Sequence, residues 1–131
     1  SGGFVAGLNA GVIYSHWPSM GGTFIPADYN TSKFWWLNAL ENPAAAQFHH
    51  RLLAYCSVAA ALWFCWIIHR QQIDPKGLRL AKVVAAVAVL QLVVGIVTLL
   101  SVVPTGLGVM HQLGAITLFC LAVLGLRLAY P

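Results

Sequence analysis

Residues 78–103 read LRLAKVVAAVAVLQLVVGIVTLLSVV, an apolar run whose only charged side chains, Arg79 and Lys82, stand near its beginning. A helix rises about 1.5 Å per residue, so a run of this length can cross a hydrocarbon core about 30 Å thick. Lipid offers the backbone no hydrogen bonds, which makes a helix the expected conformation of such a segment. The sequence therefore predicts a membrane-spanning helix at residues 78–103.

Further apolar runs lie on both sides of this segment. Two of them, residues 43–68 and 107–130, are also long enough to span. Residues 1–14 are equally apolar but would reach only about 21 Å as a helix, so they are predicted to form a partial span, with the chain beginning inside a helix. An interfacial loop is expected at residues 15–42. The prediction is one domain over residues 1–131: an all-α integral membrane helical bundle with three full spans and a partial N-terminal one.

The composition excludes a water-soluble globule. Of the 131 residues, 60 % are hydrophobic and only 8 % are charged, too few to solvate the surface of a soluble domain. The formal net charge is +4, but the cations stand at the ends of apolar runs and form no basic stripe interleaved with aromatic residues. We expect membrane lipid as a partner and no nucleic acid.

The positions of the cations predict the orientation in the membrane. Five of the seven lysines and arginines fall on one side of the predicted bundle: Arg70, Lys76, Arg79, Lys82 and Arg127. The positive-inside rule assigns this side, with the basic loop 69–82, to the bacterial cytoplasm or the mitochondrial matrix. The loop 15–42 lies on the opposite side. Its Trp and Tyr residues suit a membrane interface, and residues 31–40 are predicted to form a short interfacial helix.

Two histidines are the strongest candidates for function, because ionisable side chains at membrane depth are costly. His50 and His111 lie on predicted spans that run in the same direction, each about 6–11 Å below the same face. This arrangement suits the two axial positions of a haem iron inside a helical bundle. A packed interface in which the rings hydrogen-bond one another or backbone carbonyls would also account for them.

The residues around this pair are compatible with a bound haem, but none of them is specific to haem. Small residues, Gly95 and Gly114, would allow a backbone to approach a porphyrin. Arg51 and Lys33 stand on the side where they could pair with propionates. Zinc or copper would need further ligands, and only His49 shares this depth. His49 is offset about 100° from its neighbour on the helix and is expected to point elsewhere.

The other polar and small residues have ordinary structural interpretations. Two histidines are expected at the membrane interfaces: His16 and His69. Three glycines recur every fourth residue: Gly3, Gly7 and Gly11. They indicate close helix packing within the chain, or a flat site against a cofactor or a partner subunit. Three cysteines are interpreted as apolar filler without a disulfide: Cys56, Cys65 and Cys120. Two amides lie at membrane depth and need partners that the sequence does not name: Asn9 and Gln91.

Several motifs occur in an order that is typical of one family. They are FVAGLNAG at residues 4–11, WP at 17–18, QFHHR at 47–51, GIVTLL at 95–100 and HQ at 111–112. In this order they resemble the C-terminal half of haem A synthase, in the form found in mitochondria and their bacterial relatives. The resemblance covers nearly the whole chain.

The resemblance implies a fold and a chemistry. Members of this family have eight membrane helices in two related four-helix halves. The C-terminal half holds a haem b, so the resemblance implies that His50 and His111 are its axial ligands. Arg51 is expected, from its position, to be a further cofactor-binding residue. The N-terminal half binds haem O and contributes a glutamate to the oxidation of a haem O methyl group to the formyl group of haem A. Haem A then goes to cytochrome c oxidase.

The sequence departs from the family pattern in two ways. His49 and Asn9 stand where the family usually has aspartate, and the N-terminal half is absent. We therefore expect an oxidoreductase only as part of a complete enzyme. The chain alone is expected to be inactive and to hold no catalytic residue, with the N-terminal half or a partner subunit supplying the haem O site.

Further partners and the location follow from the same resemblance. Respiratory-chain or assembly proteins are expected partners, and the expected location is the mitochondrial inner membrane or the bacterial plasma membrane. The alternative function is a non-enzymatic, haem-binding or structural membrane subunit of a respiratory assembly.

Overall fold

The computed structural model describes residues 1–31, 34–71 and 75–129. Within these ranges the regular structure is helical, apart from one isolated bridge between Met20 and Thr23. The elements in chain order are α1 (Gly2–Gly7), a short 3₁₀ turn (Ala10–Val12), α2 (Trp35–Glu41), α3 (Pro43–Arg70), α4 (Pro75–Leu100) and α5 (Thr105–Ala129). The predicted all-α class is therefore confirmed.

Among the described residues, three helices are long and apolar enough to cross a membrane, namely α3, α4 and α5. Their bounds differ by a few residues from the predicted spans 43–68, 78–103 and 107–130. The largest difference is in α4, which begins and ends three residues earlier than expected. Val102 and Val103 have φ values of 61° and 54°, and this left-handed backbone, strained for β-branched residues, ends the helix before them. The protein is an integral membrane helical bundle.

Helix α4 is the centre of the bundle, because it packs against both α3 and α5 while those two make few direct contacts. Its buried residues are small: Ala81, Ala85, Ala88 and Thr98. Small side chains let helix backbones approach closely, which is the usual way of packing helices in lipid. Large apolar side chains point outward instead, with Trp63 61 %, Leu90 61 % and Phe119 69 % exposed. These surfaces suit contact with lipid tails.

The partial span predicted at residues 1–14 begins as a helix, but the helix is interrupted after Gly7. Helix α1 ends at Gly7, and Asn9 has a φ of 49° before the 3₁₀ turn begins. Asparagine tolerates this left-handed backbone better than most residues, so the break falls at Asn9. Close packing within the chain is not seen at Gly3 and Gly7, where a Cβ would meet no other described residue within 4 Å. Only Gly11 lies in a close contact, with a side chain of the turn that follows α4.

The loop that precedes α3 is held at the N-terminus of that helix by Asn42. Its side-chain oxygen accepts hydrogen bonds from the backbone N–H groups of Ala44 and Ala45, at 2.9 and 3.3 Å. Its amide nitrogen donates to the carbonyl oxygens of Asp28 and Tyr29, at 2.8 and 3.1 Å. One buried side chain therefore caps the helix and anchors the loop.

The short helix predicted at residues 31–40 is present as α2, which covers Trp35–Glu41. Buried Asn38 on α2 accepts a hydrogen bond from the backbone N–H of Thr31 at 3.1 Å. Earlier in the loop, the hydroxyl of Tyr14 donates to the carboxylate of Asp28, and this hydrogen bond raises the pKa of Tyr14. The loop is thus tied together by polar side chains.

Candidate functional site

The two candidate histidines meet between α3 and α5. The ring of His50 on α3 and the ring of His111 on α5 have centroids 6.1 Å apart and planes at 85°. Both side chains are half-buried. The structure therefore brings together the two residues that the sequence places at one depth, across the gap between two helices that scarcely touch.

The separation of the rings can be compared with the space that a metal ion needs. Two imidazoles on opposite sides of one ion, each with a metal–nitrogen bond of about 2 Å, have ring centroids about 6 Å apart. The observed 6.1 Å matches this value. This separation, with nearly perpendicular planes, is compatible with one ion held between the two rings, and it is equally typical of an edge-to-face contact between aromatic rings.

One nitrogen of each ring has a partner on another part of the chain. Nδ1 of His50 lies 3.0 Å from the hydroxyl of Ser1. Nδ1 of His111 lies 3.1 Å from the amide nitrogen of Gln91, which also donates to the carbonyl oxygen of His111 at 2.5 Å. In the described part of the chain neither Nε2 atom has a hydrogen-bond partner. A metal-binding histidine usually donates its second ring N–H to an acceptor; the hydroxyl of Ser1 can accept from His50, whereas the partner of His111 is the donor nitrogen of an amide.

Glycines allow α4 and α5 to close around His111. A Cβ at Gly95 would lie 2.9 Å from Cε1 of His111 and 3.5 Å from both ring nitrogens. A Cβ at Gly114 would overlap Oε1 of Gln91. Any larger residue at these positions would displace the ring or its partner. The sequence singled out both glycines as room for a porphyrin, whereas the structure uses them to seat His111 and Gln91.

Arg51 contacts the loop rather than an acidic group. Its Nη1 donates to the carbonyl oxygen of His16 and its Nη2 to that of Tyr14, both at 2.9 Å. Its Nε is buried without a partner in the described structure. A contact between Arg51 and a propionate stays a prediction, and Lys33 lies outside the described residues.

Two further side chains of α3 hold the same loop. Nε2 of Gln47 donates to the carbonyl oxygen of Tyr14 at 3.0 Å, and Tyr55 accepts a hydrogen bond from Trp17 at 2.8 Å. Together with Arg51 these residues recur every fourth position and so share one face of α3. We call Gln47, Arg51 and Tyr55 the loop clamp. It fixes residues 14–19 beside the helix turn that carries His50.

His49 points away from the pair, as its position on the helix predicts. Its Nε2 lies 2.9 Å from the hydroxyl of Tyr29, and its ring meets the Tyr29 ring edge to face. His49 is therefore part of the aromatic packing between α3 and the loop. The two histidines expected at the membrane interfaces, His16 and His69, are exposed.

The other metal-ligating side chains form no cluster in the described structure. No three His, Cys, Asp or Glu side chains come together within residues 1–31, 34–71 and 75–129. The three cysteines are free.

The sequence reasoning missed the role of Gln91, although it noted the residue as a polar group at membrane depth. The sequence does contain an indication of this role. Gln91 and Gly95 are four residues apart, so they lie on the same face of α4.

The fold and this site define a class of protein: a multi-span membrane bundle that presents a histidine pair between two spans. Comparison with known proteins identifies the family within that class. The family model COX15-CtaA, described as "Cytochrome oxidase assembly protein", matches residues 1–123. The chain belongs to the haem A synthase family, and its motifs correspond to the C-terminal half of the members.

Three relatives named "Heme A synthase" illustrate the similarity. The relative from Rhodospirillum centenum is 46 % identical over 99 % of this chain and 35 % of its own length. That from Caulobacter vibrioides is 42 % identical over 92 % of this chain and 35 % of its own length. That from Sinorhizobium medicae is 40 % identical over 98 % of this chain and 34 % of its own length. The chain thus spans about a third of these relatives. No solved structure matches it.

Proposed function

We propose that this chain is the haem b-binding part of a haem A synthase, an oxidoreductase that converts the methyl group of haem O to the formyl group of haem A for cytochrome c oxidase. The observation that carries the proposal is the 6.1 Å separation of the His50 and His111 rings. The family supports the reaction, because the relatives are named for it.

The residues present fit a haem in three respects. Two imidazoles suffice as protein ligands for an iron whose other ligands are porphyrin nitrogens. The rings of His50 and His111 lie in the gap between α3 and α5, which make few direct contacts with each other. Apolar surfaces on the spans supply the dry surroundings that haem requires. When bound, haem supplies one-electron chemistry, which is the step the protein itself cannot perform.

The chain's own residues are assigned holding and orienting roles. His50 and His111 offer one nitrogen each, while Ser1 and Gln91 contact the opposite nitrogens and fix the ring directions. The loop clamp keeps residues 14–19 over α3 beside His50. Lipid-facing side chains exclude water from the spans. The haem O site and its catalytic groups belong, in this proposal, to the parts of the relatives that this chain does not cover.

The location and the partners complete the proposal. The protein lies in a bacterial plasma membrane or the mitochondrial inner membrane, with the basic loop 69–82 on the cytoplasmic or matrix side. The N-terminal half of the enzyme, or a partner subunit, completes it, and respiratory-chain or assembly proteins receive its product.

The proposal is tested by spectroscopy and by genetics together. We expect the protein, purified in mild detergent from the cells that make it, to show a low-spin haem b in a reduced-minus-oxidised spectrum. Cells that lack it should lose haem A and keep haem b. Haem b binding with unchanged haem A would indicate an electron-transferring cytochrome instead. A folded protein without haem would indicate a structural subunit.

Gly95→Ala tests whether the ring of His111 can keep its place only because α4 has no side chain at position 95. The added Cβ would lie 2.9 Å from Cε1 of His111, too close for the ring to stay in place. We expect bound haem to fall several-fold, measured by haem extraction per chain. Gly108→Ala on α5 is the matched control, because a Cβ there meets no other residue within 4 Å. Equal haem content in the two variants would show that haem binding does not depend on a glycine at position 95.

A further inference from the structure

Two tryptophans and an arginine form an exposed stripe at the end of α3. Trp63, Trp66 and Arg70 are three and four residues apart, so their side chains lie on one face of the helix. The rings of Trp63 and Trp66 have centroids 4.9 Å apart, and the guanidinium carbon of Arg70 lies 6.0 Å from the centroid of the Trp66 ring. The tryptophans are 61 % and 51 % exposed. The stripe therefore presents a paired aromatic surface beside a positive charge.

The end of the bundle that carries this stripe is positive. Four further exposed cations come from α4 and α5: Lys76, Arg79, Lys82 and Arg127. Within the described part of the chain, neither Arg70 nor any of these four pairs with a carboxylate. Glu41 precedes α3, a helix of 28 residues, and so lies about 42 Å from Arg70. Asp28 belongs to the loop at that far end, and Asp74 lies outside the described residues. This end is therefore complementary to an anion.

The stripe also spans the depth at which a lipid changes from headgroup to acyl chain. Helix α3 is a membrane span that ends at Arg70. Along its axis Trp66 lies about 6 Å deeper than Arg70, and Trp63 about 10 Å deeper. Tryptophan suits this interface because its ring is apolar while its indole N–H can donate to a lipid oxygen. In the described structure neither of these two indole N–H groups has a hydrogen-bond partner.

We propose that the stripe binds one anionic phospholipid, whose phosphate pairs with Arg70 while its glycerol region and upper acyl chains lie against Trp66 and Trp63. A guanidinium can donate two parallel hydrogen bonds to one phosphate group. The other cations at this end add attraction at longer range, which favours an anionic headgroup over a zwitterionic one. The inference does not depend on haem, because no residue of the stripe belongs to the histidine pair.

Lipid titrations followed by native mass spectrometry test this site in the protein purified in mild detergent. The probes are phosphatidylglycerol, which is anionic, and phosphatidylcholine with the same acyl chains, which is zwitterionic. We expect the first phosphatidylglycerol to bind several-fold more tightly than the first phosphatidylcholine. Arg70→Gln should weaken the first phosphatidylglycerol by about fivefold, the usual effect of one cation at a membrane surface. Trp66→Leu keeps an apolar side chain but removes the ring, so it should weaken the same step.

Each variant has a matched control. Arg127→Gln removes the same charge from the same end of the bundle, but from α5, which makes few direct contacts with α3. Phe64→Leu removes an aromatic ring that is 52 % exposed and lies about 200° around α3 from Trp66. Both controls should bind the first phosphatidylglycerol much as the wild type does. The inference is overturned by equal wild-type affinities for the two lipids, by Arg70→Gln binding no more weakly than Arg127→Gln, or by Trp66→Leu binding no more weakly than Phe64→Leu.

Discussion

His50→Ala and His111→Ala are each expected to abolish the low-spin haem b spectrum. A low-spin iron of this type needs both axial imidazoles, and the 6.1 Å separation of the two rings provides them from two different helices. Loss of one ligand leaves the iron with a single protein bond, so we expect either a high-spin spectrum or loss of the haem. The measurement is a reduced-minus-oxidised spectrum combined with haem extraction per chain.

His49→Ala is the matched control for this pair. His49 neighbours His50 on α3 but contacts Tyr29 instead of the second histidine. The low-spin spectrum should therefore survive in this variant. A persisting low-spin signal in His50→Ala or His111→Ala would remove that residue from the site. Complete haem loss in His49→Ala alone would show that the neighbouring histidine is the ligand.

Asn42→Ala is expected to destabilise the protein by about 2–4 kcal/mol, from a lost helix cap and several lost hydrogen bonds in a buried position. The side chain is only 7 % exposed, so water cannot replace those bonds. Two backbone N–H groups of α3 and two carbonyl oxygens of the loop would lose their partner together. The free energy of unfolding can be measured in mixed micelles with a denaturing detergent.

Asn42→Asp separates the two roles of this side chain. Aspartate keeps the oxygen that caps Ala44 and Ala45, and its charge suits a helix N-terminus. It cannot donate to Asp28 and Tyr29, so the anchoring of the loop should be lost while the cap remains. We expect a destabilisation smaller than that of Asn42→Ala. A change below about 0.5 kcal/mol in both variants would contradict the anchoring role, since even a single net hydrogen bond exceeds that.

The three spans could be predicted from the sequence because their length and apolarity are properties of single segments. The pairing of His50 with His111 could also be predicted, since depth follows from counting residues along two helices that run the same way. The break at Asn9 could not, because residues 1–14 are uniformly apolar and the turn depends on a local backbone conformation. Residue counting also placed the end of α4 too late, as two valines adopt positive φ values.

Side-chain partners were the part that the sequence could not supply. Arg51 follows a candidate ligand, and its position suggested an anionic partner, yet its donors reach backbone carbonyls of the loop. Only the folded path of residues 14–19 brings those carbonyls near. Gln91 likewise acquires its partner from α5, and the contact depends on glycines that let the two helices approach. Such contacts arise from packing between elements, which no single segment encodes.

The central position of α4 dictates the order in which the histidine pair can form during synthesis. Translation delivers α3 first, then α4, and α5 last, so the nascent chain inserts His50 well before His111. Because α3 and α5 scarcely touch, His111 reaches its partner only by docking on the already inserted α4. An intermediate that ends after α4 contains only His50 of the proposed ligand pair. If the two histidines hold a haem as proposed, its loading would report the completed insertion of the last helix.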